Sequence, residues 1–258
     1  MIQNKNHIAI DRLLSIMDEL REKCPWDRRQ TLESLRYLTI EEMYELSDAI
    51  IQRDLNEIKK ELGDIMLHIV FYSKIGSELG AFDFADVVNT LCDKLELRHP
   101  HVFGDVKVEN SEDVKNNWEK IKLTEGRKSV LEGVPHSLPA MVKAYRIQEK
   151  VRGVGFDWNN ISEVLEKVKE EIEEFKTEQQ QKNTEAMEEE FGDVLFALIN
   201  YARFLDINPE DALERTNRKF IKRFQYMENQ INKQKKSISS LDLEQMDVFW
   251  EESKKHIK

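Results

Sequence analysis

The sequence predicts an all-α protein built from two tandem, duplicated helical-bundle domains. Three observations carry this. First, the 258 residues include only nine Gly and five Pro, so little interrupts a chain rich in Glu, Lys and Leu. Second, apolar residues recur at helical spacing and no alternating strand pattern appears. Third, four segments recur in the same order. IEEMYEL (40–46) matches KEEIEEF (169–175), and KKELGDIML (59–67) matches EEEFGDVLF (188–196), both at a step of 129. DKLELR (93–98) matches RKFIKR (218–223) at 125, and EDVKNNWEK (112–120) matches EQMDVFWEE (244–252) at 132. Near-constant offset means one duplication rather than a solenoid array.

The elements follow in order. Ile10, Leu13, Leu14 and Met17 place an opening helix that CPWD breaks. Helical patterns cover roughly 31–52, 54–79 and 83–98, and Pro100 stops the last of them. SEDVKNNWEKIK reads as a helix capped by Ser111. EGRKSVLEGVPHSLP gathers two Gly and two Pro and is the best linker candidate. Helices are then expected over roughly 138–151, 160–181, 184–205, 209–233 and 241–256. Asn208 as cap and Pro209 in the first turn mark one clear start. The expected domains are 1–124 and 138–258, joined by a linker at 125–137.

Composition excludes several classes. A net charge of -11 argues against a general nucleic-acid binder, which needs a basic face. Cys24 and Cys92 have no metal-binding or disulfide spacing and fit a reducing, cytoplasmic setting. No signal peptide and no membrane span are expected. There is no GxxxxGK[ST] loop and no Ser/His/Asp or Cys/His arrangement.

The chemistry lies in the acids. Glu171 and Glu174 are three apart and share a helical face, as do Glu190 and Asp193 on the next helix. That next helix, Phe191 to Phe204, is apolar all round and reads as buried. Four carboxylates meeting beside a core repel one another at low dielectric, so a hard divalent cation is the economical answer. Mg²⁺ suits carboxylates together with substrate phosphates. Gly192 lets a neighbouring helix or a ligand come close. The first half repeats the acids as Glu42, Glu45, Glu61 and Asp64, a possible second, weaker metal site. A di-iron site is disfavoured, because only ELRH (Glu96 to His99) has Glu-x-x-His spacing and Pro100 follows it. His68 reads as a satisfied core histidine.

Lys219 and Arg223 lie at i,i+4 on one helix, and Lys167 lies one turn before Glu171. Alone these are solvated basic residues. Opposite a metal-loaded acidic cage they make a polyphosphate clamp. Trp250 suits either a core or a base-stacking role. A non-catalytic all-α scaffold or regulator, docking a partner protein through acidic faces, remains the alternative; it requires those faces to be exposed.

EExxE followed by ELGD or EFGD, together with CPWD, LELRHPHVF, SLPAMVKAYRIQEKV and VGFDW, resembles the MazG family over essentially the whole chain. Its long two-domain bacterial form is the best match. The resemblance implies the all-α NTP pyrophosphohydrolase fold in a homodimer. It implies Mg²⁺-dependent hydrolysis of NTPs and dNTPs to the monophosphate and pyrophosphate. It also implies metal binding by Glu171, Glu174, Glu190 and Asp193. Nucleotide contacts are implied for Lys167, Lys219, Arg223 and Trp250, with Glu188 and Glu189 nearby. The first half keeps Lys94, Arg98 and Trp118 but has Leu38 in place of Lys167 and Cys92 in place of Asn217. The C-terminal cage is therefore the expected principal site.

Overall fold

The computed structural model describes residues 2–108, 110, 113–114, 117–118, 121 and 129–257. Two compact units divide the chain, Met1–Val108 and Glu109–Lys258. The described residues contain no strand. The first unit holds α1 (Ile2–Lys23), α2 (Leu32–Gln52), α3 (Leu55–Glu78), α4 (Phe84–Arg98) and α5 (Pro100–Phe103). The second holds α6 (Ala140–Arg152), α7 (Ile161–Gln181), α8 (Thr184–Phe204), α9 (Pro209–Lys233) and α10 (Leu243–His256). The expected helices appear within two residues of their sequence bounds, apart from the opening helix, which starts earlier, and the SEDVKNNWEKIK helix, most of which lies outside the described residues. Ser111 and linker positions 125–128 lie outside the described residues.

Pro100 does more than stop α4: it opens the one-turn helix α5, where its missing N–H is not needed and its fixed φ already suits a helix.

In the first unit α3 is central, with α1, α2 and α4 packed on it. Met17, Leu35, Val70, Phe71 and Ile75 form the core, edged by Leu13, Leu14, Leu32, Leu38, Leu67, Tyr72 and Phe84. Gly76 is required here. A Cβ at this position would lie 2.6 Å from the Phe82 ring, closer than carbon atoms can approach. Arg21 ties α1 to the end of α3, pairing with Glu78 at 2.5 Å while its guanidinium lies over the Phe71 ring. It also donates to the carbonyls of Asp27 and Gln30, which holds the CPWD turn in place.

His68 is buried on α3, its Nδ1 2.8 Å from Thr39 Oγ1, which also lies 2.7 Å from Tyr72 OH. This is the satisfied core histidine that its apolar setting suggests.

In the second unit α7 and α8 form an antiparallel pair. α6 and α9 pack on α8, α9 also meets α6, and α10 packs on α9. Val164, Val168, Ala197, Ile199, Met227 and Ile231 are buried. Two buried cations are satisfied locally. Lys150 donates to the Val130 carbonyl at 3.2 Å, and Arg203 pairs with Asp157 at 2.5 Å, which fastens the VGFDW loop to α8.

The reading of α8 as buried all round does not hold within one chain. Phe191, Leu195, Phe196 and Leu198 are 41–52% exposed. The helices packed on α8 cover only the face of Ala197, Ile199 and Arg203. An all-round apolar pattern reports composition, and which faces are covered depends on the neighbouring helices.

Burial lowers the pKa of His68, opposed by the nearby Asp64 charge. A depressed folded-state pKa means the contribution to stability is complete above the unfolded value near 6.5 and is lost as pH falls through the folded value. His68→Gln should flatten the decline in melting temperature between pH 7 and pH 5, read by comparing thermal unfolding of the two proteins.

Candidate functional site

The hairpin turns set the register of both acid sets. Arg53, between α2 and α3, and Lys182, between α7 and α8, both sit at φ 58°, the left-handed region that reverses the chain. The next residue caps the following helix in each case. Asp54 accepts from the amides of Asn56 and Glu57, and Asn183 from that of Ala186. Arg53 and Lys182 are 129 apart, so the turn is duplicated with the acids.

From this pivot the acids are level. Glu174 lies eight residues before Lys182 (182 − 174) and Glu190 eight after (190 − 182). Glu171 lies eleven before and Asp193 eleven after. Around Arg53 the same counts hold for Glu45 and Glu61 at eight, and for Glu42 and Asp64 at eleven. At about 1.5 Å per residue, the paired acids stand about 12 and 16 Å from the turn on facing helices.

The side chains meet accordingly. Glu171, Glu174 and Glu190 bring carboxylate oxygens within 4.8 Å of one another, and so do Glu42, Glu45 and Glu61. Asp193 and Asp64 stand outside those close groups, yet their charges act on Glu190 and Glu42 respectively. Glu61 and Glu171 are buried, Glu42, Asp64 and Glu190 are half-buried, and Glu45, Glu174 and Asp193 are exposed.

Repulsion is visible in the proton affinities. A hydrogen bond shared with Glu171 raises the pKa of Glu174, with further push from Glu171 and Glu190. Desolvation raises that of Glu190, then the charges of Asp193 and Glu171. Glu42 is raised by desolvation and by Asp64, Glu45 and Glu61. An all-oxygen, acidic donor set in which Glu42, Glu174 and Glu190 have raised proton affinity suits a hard divalent cation. In the first cage Glu61 Oε2 is buried without a hydrogen-bond partner among the described residues, which the same cation would satisfy.

Lys167 Nζ lies 2.9 Å from Glu171 Oε1 and 2.8 Å from Glu170 Oε1, and both contacts raise its pKa. Glu188 and Glu189 are exposed on α8 beside the cage. Lys219, Arg223 and Trp250 are half-buried on α9 and α10. Among the described residues no ion pair joins Lys219 or Arg223 to the cage. Arg223 donates to the Ile257 carbonyl at 3.0 and 2.9 Å, and the Trp250 ring packs on Phe220 at 5.0 Å. Among the described residues nothing outside its own stretch of helix lies within 4 Å of where a Cβ at Gly192 would stand, so none of them demands the glycine. The space is open for a ligand or a second copy.

Sequence reasoning missed Lys60. Its Nζ lies 3.0 Å from Glu61 Oε1, bringing a cation to the first cage from α3. The signal was the KK preceding ELGD, which reads like any solvated pair.

Fold and site together define a class, an all-α protein with tandem carboxylate cages on duplicated helical hairpins. The family model for the MazG nucleotide pyrophosphohydrolase domain matches this chain twice, over residues 30–103 and 159–227. The chain belongs to that family of hydrolases. The nucleoside triphosphate pyrophosphohydrolase of Escherichia coli (strain K12) is 42% identical over 255 residues, covering 95% of this chain and 97% of its own. The nucleoside triphosphate pyrophosphohydrolase/pyrophosphatase MazG of Thermotoga maritima is 44% identical over 252 residues, covering 96% of each. A solved structure of a mazG-related protein from Thermotoga maritima aligns with 44% of this chain and 98% of its own at 25% identity and a TM-score of 0.40.

The raised carboxyl pKa values give a stability signature opposite in sign to that of His68. The contribution is complete below the unfolded value near 4.5 and is lost as pH rises through the folded value. Glu190→Gln should therefore raise the melting temperature of the metal-free protein at pH 7 and reduce its loss of stability above pH 5, measured by thermal unfolding in EDTA.

Proposed function

We propose that the chain is a Mg²⁺-dependent nucleoside triphosphate pyrophosphohydrolase that cleaves NTPs and dNTPs to the monophosphate and pyrophosphate, with the C-terminal cage as its principal site. The observation that carries this is the meeting of Glu171, Glu174 and Glu190 beside Lys167, in a chain of this family whose full-length relatives bear that activity in their names. Buried Glu171 and Glu61 support the cage over a docking surface, whereas Asp193 is exposed and Glu190 half-buried, so pyrophosphate release decides against the scaffold alternative.

Glu171, Glu174, Glu190 and Asp193 would hold Mg²⁺, which when bound would supply positive charge to the phosphate chain and acidify a water molecule. A cage carboxylate takes the proton as that water adds across the phosphoanhydride bond. Lys167 exchanges its Glu171 partner for a phosphate oxygen. Lys219 and Arg223 offset the charge of the departing pyrophosphate, while Trp250 and the exposed Glu188 and Glu189 line the nucleotide's approach. No covalent intermediate is needed.

The cytosol is the proposed location, in keeping with two free cysteines and no helix among the described residues long and apolar enough to cross a membrane. A nucleic-acid partner is not proposed at a net charge of -11. The working form is a homodimer that covers the apolar face of α8. Sedimentation equilibrium should give twice the 30.5 kDa chain mass, and Leu195→Glu should return the monomer. A wild-type monomer would refute the dimer.

Pyrophosphate release from a panel of NTPs and dNTPs tests the activity. EDTA should abolish it and Mg²⁺ restore it. Glu174→Gln should lower kcat by about a hundredfold or more, since a lost metal ligand removes several kcal/mol of transition-state stabilisation. Glu45→Gln should cost far less. Full activity in Glu174→Gln with none in Glu45→Gln would reverse the assignment of the two cages.

A further inference from the structure

The two cages share turn, register and acids, yet each takes its cation from a different wall. In the second unit the lysine comes from α7, where Lys167 contacts Glu171. The equivalent position in α2 is Leu38 (38 + 129 = 167), which packs against the core. In the first unit the lysine comes from α3, where Lys60 contacts Glu61 at 3.0 Å. The equivalent position in α8 is Glu189 (60 + 129), and the neighbouring Lys59 matches Glu188. The most buried carboxylate moves with the lysine. It is Glu171, 7% exposed, in one cage and Glu61, 3% exposed, in the other.

A second observation points to a ligand in the first cage. Glu61 Oε2 is buried and has no hydrogen-bond partner among the described residues. Leaving a carboxylate oxygen in that state is costly, and the structure offers only Lys60 at the other oxygen. Glu42 and Glu45 stand within 4.8 Å of Glu61 and add negative charge instead of relieving it. The missing partner is a cation.

The rims of the two cages oppose each other in sign. Lys59 and Lys60 carry +2 where Glu188 and Glu189 carry −2, a difference of four charges at equivalent positions. A bare divalent ion approaching the first cage must displace an ammonium already bound to Glu61. When the ion arrives with a phosphate chain, the same ammonium gains an anionic partner. Repulsion thus becomes attraction only for the metal–phosphate pair.

We propose that Lys60 makes the N-terminal cage a phosphate-binding metal site that selects a preformed metal–polyphosphate complex over the bare ion. Lys60 neutralises Glu61 in the free protein and turns to the phosphate oxygens when the complex enters. Its 59% side-chain exposure leaves the ammonium free to swing. The proposal rests on the metal–phosphate reading of the cages. It also changes what Leu38 means: the first cage has its cation, placed on the opposite helix.

The test uses the full chain carrying Glu174→Gln, so that the C-terminal cage is silenced. Calorimetric titration is run with Mn²⁺ alone, with Mn²⁺ and inorganic pyrophosphate, and with Mn²⁺ and the non-hydrolysable α,β-methylene analogue of dATP. Adding Lys60→Gln should tighten bare Mn²⁺ binding about tenfold, by removing a competing cation, and weaken the phosphate complexes about tenfold. Lys60→Arg should keep the parent pattern. The stronger of the two phosphate ligands identifies whether the site takes nucleotides or free pyrophosphate, and Lys60→Gln weakens that ligand in either case. The inference is overturned if Lys60→Gln shifts metal and phosphate affinities in the same direction, or shifts neither, while Glu45→Gln abolishes Mn²⁺ binding. If instead neither Glu45→Gln nor Glu174→Gln alters Mn²⁺ binding by the otherwise wild-type chain, the metal reading of the cages itself fails.

Discussion

Everything at the two sites depends on where the chain reverses. One residue in the left-handed region, Arg53 or Lys182, fixes the point from which two helices run back along each other. Because both helices rise by the same amount per residue, equal counts on either side of the pivot place side chains at equal height. Shifting the turn by one residue would rotate an acid by about 100° and misalign the pairs. The capping side chains of Asp54 and Asn183 matter for the same reason: they start the second helix at a defined residue. Neither turn residue is a glycine, so each left-handed conformation carries a modest steric penalty that the surrounding helix packing must hold.

The register brings together charges that repel. The raised pKa values of Glu42, Glu174 and Glu190 express that conflict, and each cage relieves part of it with one lysine. Helix pairing and cation demand are thus two sides of one arrangement. Apolar packing around Val164, Val168 and Ala197, or around Val70 and Phe71, holds the helices close enough for the acids to meet. The acids then make the closed hairpin a receptor for positive charge. Proximity that weakens the free protein is what gives the site its affinity.

Much of this was legible in the sequence. Breaker-poor composition and 3.6-residue periodicity gave the helices, and the 129-residue repeat identified the acids as a set before any contact was known. Asn208 and Pro209 marked the start of α9 because capping chemistry is local. What stayed hidden was non-local. The apolar girth of α8 predicted burial all round, yet Phe191 and Leu195 are among its exposed residues. Gly192 suggested a neighbouring helix or a ligand, and no helix among the described residues comes close to it. Lys219 and Arg223 read as a clamp from their spacing, and the fold adds that Arg223 is anchored through Nε and Nη2 to the Ile257 carbonyl. A spacing reports which face a side chain occupies, and only the fold reports what faces it.

The duplicated cages also show which parts of such a site are free to vary. A carboxylate ligand has a short side chain, so its position is dictated by the pivot count, and all eight acids keep that count across the repeat. A lysine carries its charge on a long flexible stem and can reach one carboxylate from several backbone positions. The second cage uses a lysine four residues before Glu171 on α7, and the first uses one adjacent to Glu61 on α3. Both solutions put an ammonium about 3 Å from the buried acid, at 2.9 and 3.0 Å. Comparing the halves position by position therefore finds a lost cation at Leu38, whereas comparing them by the charge each cage receives finds none. The acids have to match in sequence because their geometry is rigid. The cation has to match only in space, and that freedom lets two copies of one hairpin keep the same acids while their rims carry opposite charge.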